Sequence, residues 1–143
     1  MAKPADVRFY FDADVLGLAK VISSLRSDVT FPGDSGGTVH KRERPACTIA
    51  DPATRDEVWI PEAASHGWLI VTRDSKIQDH PAEVSAVRAA GARMVALAGK
   101  DAVGVWQQLE VLMTQWRRIE RCLEAVSPCI FTATRTTFRD VPI

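Results

Sequence analysis

The sequence has no excess of charge of either sign and no long apolar run. Its 143 residues carry 18 basic and 18 acidic side chains, so no global electric field draws the chain to nucleic acid or to a membrane. A nucleic-acid site therefore has to be a local patch. No apolar stretch approaches the roughly 20 residues that a membrane span needs. The first residues are polar, and we expect neither a signal peptide nor a membrane partner.

Cysteine and histidine are also scarce. The three cysteines form an odd count without a C-x-x-C spacing, which argues against a disulfide framework and against a zinc site. We therefore expect a reducing, cytoplasmic setting. The three histidines show no metal-binding spacing, and we interpret His66 and His80 as surface residues because one ends a predicted helix and the other precedes a proline.

Short apolar runs alternate along the chain with amphipathic segments. We predict strands at about 7–11, 28–31, 68–74, 93–97 and 129–134, and helices at about 15–26, 51–66, 81–90 and 101–125. This alternation predicts an α/β fold with a mostly parallel sheet covered by helices on both faces. We expect a single domain over residues 1–143, with a tail from about 135.

Two stretches interrupt this regular pattern. Residues 32–45 contain clustered turn residues, so we predict a loop there. Gly36 and Gly37 lack the further glycines of phosphate-binding fingerprints, and we interpret them as flexible positions. Pro61 lies inside the predicted helix 51–66, which predicts two short helical pieces that meet there.

Three aspartates follow predicted strands. Asp12 and Asp14 come directly after the first apolar run, and Asp74 ends the third. The carboxyl ends of parallel strands share one edge of a sheet, where ligands bind. We therefore expect these three carboxylates to converge if the two strands are neighbours. Asp14 also has a structural explanation, because Asp commonly caps a helix.

Further carboxylates lie near predicted helix starts, at Asp56, Glu57, Asp79 and Glu83. Acids at a helix start are also favoured by the helix dipole, so each has a purely structural alternative. Carboxylates that share a cleft cannot all stay ionised without a counter-charge. Mg²⁺ or Mn²⁺ is the natural solution, because these ions take oxygen ligands. A metal site without His or Cys ligands favours phosphate chemistry over that of zinc hydrolases.

Three segments together resemble the PIN-like domain family, and the similarity is closest to VapC-type toxins of bacterial toxin–antitoxin pairs. They are the strand end Phe11–Asp14, the helix stretch Asp56–Ala63 and the block Gly67–Ile77. The resemblance covers most of the chain and implies a three-layer α/β/α sandwich. It also implies a Mg²⁺-dependent endoribonuclease of the bacterial cytoplasm, the toxin of a type II pair, that cleaves RNA and is held inactive by a cognate antitoxin.

The resemblance also implies roles for individual acids. By position, Asp12, Asp56 and Asp74 correspond to the catalytic, metal-binding acids, with Glu57 as a rival of Asp56. Asp14 and Asp79 complete the expected metal-binding set. Asp14 is an acid that many members of the family lack, and Glu83 is the alternative to Asp79.

Basic residues near these acids are candidates for contacts with the substrate. Arg73 and Lys76 flank Asp74, and Arg42 belongs to the basic cluster 40–45. Lys and Arg side chains bind phosphate groups, so we expect all three to contact the RNA backbone. A solvated loop is the alternative explanation of the cluster 40–45.

Two other functions stay open at this point. The stretch Phe11–Leu16 imitates the D-x-D motif of haloacid-dehalogenase-like phosphatases, but residues 97–101 lack the acidic pair that such a mechanism needs. The domain could also be a non-catalytic binding module whose carboxylates cap helices or hold a structural ion. The apolar face of helix 101–125 either covers the sheet, which we favour, or forms a homodimer or partner surface.

Overall fold

The computed structural model describes residues 2–74 and 76–143, apart from the side chains of Gln78 and Asp101; Ser75 of the block Gly67–Ile77 lies outside the described residues. The strands are β1 (Lys3–Pro4), β2 (Phe9–Phe11), β3 (Val29–Thr30), β4 (Gly37–Val39), β5 (Arg42–Arg44), β6 (Leu69–Arg73), β7 (Arg93–Leu97), β8 (Cys129–Ala133) and β9 (Phe138–Val141). The helices are α1 (Leu16–Ser23), α2 (Asp56–Ser65), α3 (Pro81–Ala90) and α4 (Val105–Arg121). Short 3-10 turns lie at Ala13–Val15, Ile77–Asp79, Lys100–Ala102 and Cys122–Glu124.

The central sheet has six strands in the order β3-β2-β6-β7-β8-β9. All neighbouring pairs are parallel except β8 and β9, which are antiparallel. β2, the first of the predicted strands, therefore lies beside β6, which meets the condition set for the convergence of Asp12, Asp14 and Asp74. The α/β fold with a mostly parallel sheet is confirmed.

Two apolar layers cover the two faces of this sheet. Phe9 and Phe11 of β2 face a cluster with α1 and α4, whereas Tyr10 faces a second cluster with α2 and α3. All three rings are at most 1% exposed. Alternate residues of a strand point to opposite faces, so a strand covered on both sides reads as a continuous apolar run. Within the described ranges, no helix combines the length and the apolar character that a bilayer crossing requires.

The structure corrects the prediction for residues 32–45. The stretch forms an antiparallel hairpin of β4 and β5, which also pairs with β1. His40 and Lys41 form its turn with positive φ angles of 51° and 62°. These angles are typical of Asn and Gly in tight hairpin turns, so the sequence gives no hairpin signal here.

Two further predictions are wrong. Residues 56–65 form one helix with Pro61 inside it, not two pieces. The helix begins at Asp56, so Pro61 removes one hydrogen bond near the amino end and the remaining ladder continues. The stretch from 135 is not only a tail, because Phe138–Val141 adds the antiparallel edge strand β9.

Candidate metal centre

The connections of the sheet create a crevice between the carboxyl ends of β2 and β6. The chain leaves β2 for β3 on one side and later returns to β6 on the other. In open α/β sheets, ligands bind at the carboxyl ends of the strands where the strand order reverses in this way. The backbone N–H of Asp12 donates to the carbonyl of Val71 at 2.9 Å, and that of Asp74 donates to Leu97 at 3.0 Å. Both aspartates are therefore fixed to the strand ends.

Asp12 and Asp14 share one hydroxyl donor, the buried side chain of Thr72. Its Oγ1 lies 3.2 Å from Oδ2 of Asp12 and 3.0 Å from Oδ2 of Asp14. Asp12 also caps the first 3-10 turn by accepting from the N–H of Ala13 at 2.6 Å. Asp14, for which a cap is the structural alternative, instead turns toward β6, where it accepts from the N–H of Arg73 at 3.3 Å.

Both carboxyl groups are disposed to keep a proton in the absence of a cation. Burial, followed by the charge of Asp14, raises the pKa of Asp12 from 3.8 to about 7. Burial also raises the pKa of Asp14, whereas its hydrogen bonds from Thr72 and Arg73 oppose that change. A divalent cation placed between the two groups would replace this proton.

Asp74 is held by two partners from the segment that follows it. The N–H of Lys76 donates to its Oδ1 at 2.9 Å, and Nδ1 of His80 lies 2.5 Å from its Oδ2. The carboxylate of Asp74 is 8% exposed, whereas the imidazole of His80 is 56% exposed. The hydrogen bond to Asp74 raises the pKa of His80, which favours the protonated imidazole.

Glu83 reaches the same crevice from the first turn of α3. Pro81 opens this helix at its first position and so places Glu83 two residues later on the inward side. Burial, followed by the charges of Asp56, Asp74, Asp12 and Asp14 in that order, raises the pKa of Glu83 to about 7. The negative charges of all four aspartates therefore act on the Glu83 carboxylate.

Asp56 stands at the first position of α2. Its Oδ1 accepts a hydrogen bond of 2.9 Å from the indole N–H of Trp59, one turn along the helix. The ring of Trp59 is buried beside Tyr10, with ring centroids 5.3 Å apart. A buried tryptophan thus orients this carboxylate, which gives a structural reason for an aspartate three residues before Trp59 in the stretch Asp56–Ala63.

These side chains line one open cleft of about 380 Å³. Its lining consists of Asp12, Asp14, Asp56, Arg73, Asp74, His80 and Glu83. Five carboxylates thus face one another, with the cationic Arg73 beside them and His80 against Asp74. The sequence predicts this convergence for four of the aspartates and for Arg73.

The remaining predicted residues lie elsewhere. Asp79 and Glu57 are exposed and lie outside the lining of the cleft, so the geometry favours their rivals Glu83 and Asp56. Lys76 is exposed and meets the site through its backbone N–H. Arg42 lines a different cleft together with Arg8. Because Arg8 directly precedes β2, that cleft lies at the amino ends of the strands, opposite the carboxylates.

His80 is the site residue that the sequence does not reveal. It lies six positions after Asp74 in a segment without a regular hydrophobic period, so its contact with that carboxylate depends on the path of the chain. His80 directly precedes Pro81 at the start of α3, but that position gives no sign of a contact with Asp74.

The donor set fits a hard divalent cation. Asp74 and Glu83 each offer a carboxylate oxygen, and these two atoms and one ring nitrogen of His80 lie within 4.8 Å of one another. His80 can serve as a ligand only when its ring is neutral, and when protonated it holds Asp74 instead. Oxygen donors suit Mg²⁺ and Mn²⁺, which complete their shells with water. The raised pKa values of Asp12 and Glu83 reflect the repulsion that such a cation would relieve.

Comparison with known proteins gives one match. Residues 8–99, which include the whole of the cleft, match the family described as PIN like domain. No curated protein and no solved structure matches the chain.

Proposed function

The chain belongs to the PIN-like domain family, and on that premise we propose that it is a metal-dependent endoribonuclease. PIN-like domains are generally nucleases that use divalent metal ions. The observation that carries the proposal is the convergence of five carboxylates and His80 at the reversal of strand order. The catalytic acids in this proposal are Asp12, Asp56 and Asp74, with Asp14 and Glu83 completing the set.

The proposed reaction is hydrolysis of a phosphodiester bond. A bound Mg²⁺ or Mn²⁺ supplies a water of lowered pKa and a positive charge opposite the phosphate. Asp12, Asp74 and Glu83 would hold it, while the hydroxyl of Thr72 keeps Asp12 and Asp14 in position. His80 would hold Asp74 from the outer side of the cleft.

Arg73 is the best candidate for substrate binding within the cleft. Its exposed side chain lines the cleft at the end of β6, where an arginine fork can bind a phosphate through two N–H groups. The cleft is open, which suits unpaired nucleotides whose bases can point outward. These features support a single-stranded RNA or a loop as the substrate.

The direct test is cleavage of labelled single-stranded RNA with Mg²⁺, with Mn²⁺ and with EDTA. We expect cleavage that needs the metal and is lost in Asp74→Asn and in Asp56→Asn. Glu57→Gln is the matched control, because this neighbouring acid lies outside the cleft and should keep full activity. Full activity in Asp74→Asn would refute the site. Hydrolysis of p-nitrophenyl phosphate in place of RNA would favour the phosphatase alternative.

We also propose that the nuclease is the toxin of a bacterial type II pair, restrained in the cytoplasm by a cognate antitoxin. The support is the motif similarity of segments 56–63 and 67–77 to VapC-type toxins. Induced expression in a bacterial host should then arrest growth, and Asp74→Asn should relieve the arrest. Normal growth with abundant active protein would contradict the toxin role and leave the nuclease proposal intact.

A further inference from the structure

A row of cationic side chains leads away from the cleft along the edge of the sheet. Arg73 ends β6, Lys100 follows β7, and Arg135 follows β8. All three side chains are exposed. The three strands are parallel neighbours, so their carboxyl ends lie about 4.8 Å apart and together span about 10 Å.

The row ends at a groove between α4 and the turn 134–137. Gln115 ties this turn to α4 by donating to the carbonyls of Thr134 at 2.8 Å and Thr137 at 3.2 Å. The groove encloses about 400 Å³. Its lining, called the arginine groove below, includes Thr114, Gln115, Arg117, Arg118, Arg121 and Arg135. Arg135 also pairs with Glu110 at 3.4 Å.

The three arginines of α4 form a stripe with an incomplete structural explanation. Residues 114, 117, 118 and 121 follow the i, i+3, i+4, i+7 spacing of one helix face. Arg118 donates to Gln115, but of the side chains that the structure describes, none forms an ion pair with Arg117 or Arg121. Like charges four residues apart destabilise a helix, while the helix dipole favours cations in its last turn. The stripe therefore suits an anionic ligand.

We propose that the arginine groove binds the phosphate backbone of the single-stranded nucleic acid whose scissile bond lies in the carboxylate cleft. This inference rests on the proposed nuclease function and extends it to the path of the substrate. The strand leaves the cleft at Arg73, passes Lys100 and continues along α4. The planar fork of arginine matches a phosphate oxygen pair.

Two features favour nucleic acid over an acidic protein as the ligand. The cationic row begins at Arg73, which lines the carboxylate cleft, and ends at Arg135, which lines the arginine groove, so one strand can occupy both places. The lining contains one apolar side chain, that of Met113. Protein interfaces usually bury an apolar core, which this groove does not offer.

The test is binding of fluorescein-labelled oligouridylate in EDTA, followed by fluorescence anisotropy over a series of salt concentrations. The variant is Arg117→Gln with Arg121→Gln, both exposed on α4. The control is Lys20→Gln with Arg88→Gln, which removes two exposed charges from α1 and α3. We expect the first variant alone to weaken binding by about tenfold at low salt. Its salt slope should fall by about 1.4, since each lost phosphate contact on a single strand accounts for about 0.7.

Equal affinities of the two double variants would overturn the inference. It would also be overturned if polyglutamate of matched charge bound the wild type as tightly as RNA does, because the groove would then be an acceptor for acidic proteins. The assay contains no metal and measures no cleavage. If the arginine variant binds more weakly but the wild type cleaves no RNA, the groove is supported and the nuclease proposal is refuted. If the arginine variant binds as the wild type does and the wild type cleaves RNA, the groove is refuted and the nuclease proposal stands.

Discussion

Thr72 is placed where a single proton has to serve two carboxylates. Its hydroxyl lies within hydrogen-bond distance of both Asp12 and Asp14, yet a hydroxyl donates one hydrogen bond at a time. The N–H groups of Ala13 and Arg73 also donate to Asp12 and Asp14, but two carboxylates this close repel each other, so a proton or a cation stabilises the pair. This arrangement makes the pair ready for metal binding and makes Thr72 a positioning residue rather than a catalytic one.

Replacing Thr72 by Val should weaken metal binding by about tenfold or more, as is usual when a partner of a ligand is removed. Valine keeps the shape of the buried side chain and removes the donor. Thr72→Ser keeps the donor and should bind Mn²⁺ as the wild type does. Calorimetric titration with Mn²⁺ measures both variants. Equal affinities of Thr72→Val and Thr72→Ser for Mn²⁺ would contradict the positioning role of Thr72.

The pKa shifts of the cleft predict how the stability of the metal-free protein depends on pH. Burial and the neighbouring carboxylates raise the pKa of Asp12 from 3.8 and that of Glu83 from 4.5, each to about 7. Between about pH 4 and 7 the folded protein therefore binds more protons than the unfolded chain, and its free energy of unfolding falls as the pH rises. The raised pKa of His80 acts in the same direction at slightly higher pH.

Urea unfolding in EDTA at about pH 5 and about pH 8 measures this dependence. After allowance for solvent screening, we expect a loss of roughly 1–3 kcal/mol across the interval. Glu83→Gln cannot titrate and should show a smaller loss. The pKa of Asp28 lies below its ordinary value of 3.8, so this group loses its stabilising effect only at pH values below the interval from about 5 to about 8. Stability that rises from pH 5 to pH 8 would contradict the assignment.

At the scale of elements, the hairpin of β4 and β5 is fixed by a buried ion pair. Arg44 Nε lies 2.6 Å from Oδ2 of Asp34, and the two side chains are 6% and 2% exposed. Asp34 also accepts from Thr30 at 3.0 Å and from the N–H of Gly36 at 2.9 Å. Gly36 has a φ angle of +86°, and an added Cβ would lie 2.4 Å from the carbonyl oxygen of Arg44. The hairpin thus depends on specific side chains rather than on strand propensity.

Asp34→Ala should lower the free energy of unfolding by about 3–5 kcal/mol, because it leaves the buried charge of Arg44 without a partner. Arg42→Gln is a control in the same strand, at an exposed position, and should change stability by at most about 0.5 kcal/mol. Chemical denaturation gives both values. A loss below about 1 kcal/mol for Asp34→Ala would show that the pair is not needed.

The elements differ in how far the sequence predicts them. The helix 81–90 and the strand 93–97 have the predicted bounds, because Pro81 starts the helix and Gly91, with a φ angle of +65°, ends it. The hairpin 37–44 escapes prediction because its turn residues are His40 and Lys41. The edge strand 138–141 escapes it as well, because four residues with two half-buried apolar side chains carry little periodic signal.

The residues of the candidate site also differ in how far the sequence predicts them. Asp12, Asp14 and Asp74 are predictable because each directly follows a buried strand, and parallel strands bring those ends together. His80 and Arg42 lie on connections whose course depends on tertiary packing. Accordingly, His80 contacts Asp74 without a sequence signal, and Arg42 lies at the opposite edge from the predicted one.

At the scale of the whole molecule, charge is neutral overall but separated along one edge of the sheet. The carboxylates occupy the ends of β2 and β6, and cations continue from Arg73 past Lys100 to Arg135. A polyanion would be repelled by the cleft until a divalent cation neutralises it, while the cationic row attracts the rest of the strand. Binding of the strand in the cleft thus depends on a metal site where the strand order of the sheet reverses.

Calorimetric titration of the purified protein with Mn²⁺, beside Asp74→Asn and Glu57→Gln, tests that site most directly. We predict saturable binding to the wild type and to Glu57→Gln, and binding to Asp74→Asn that is weaker by about tenfold or more, because a ligand is lost. Binding of equal strength to all three proteins, or none to the wild type at a pH above 7, would contradict a metal centre at the carboxylate cleft.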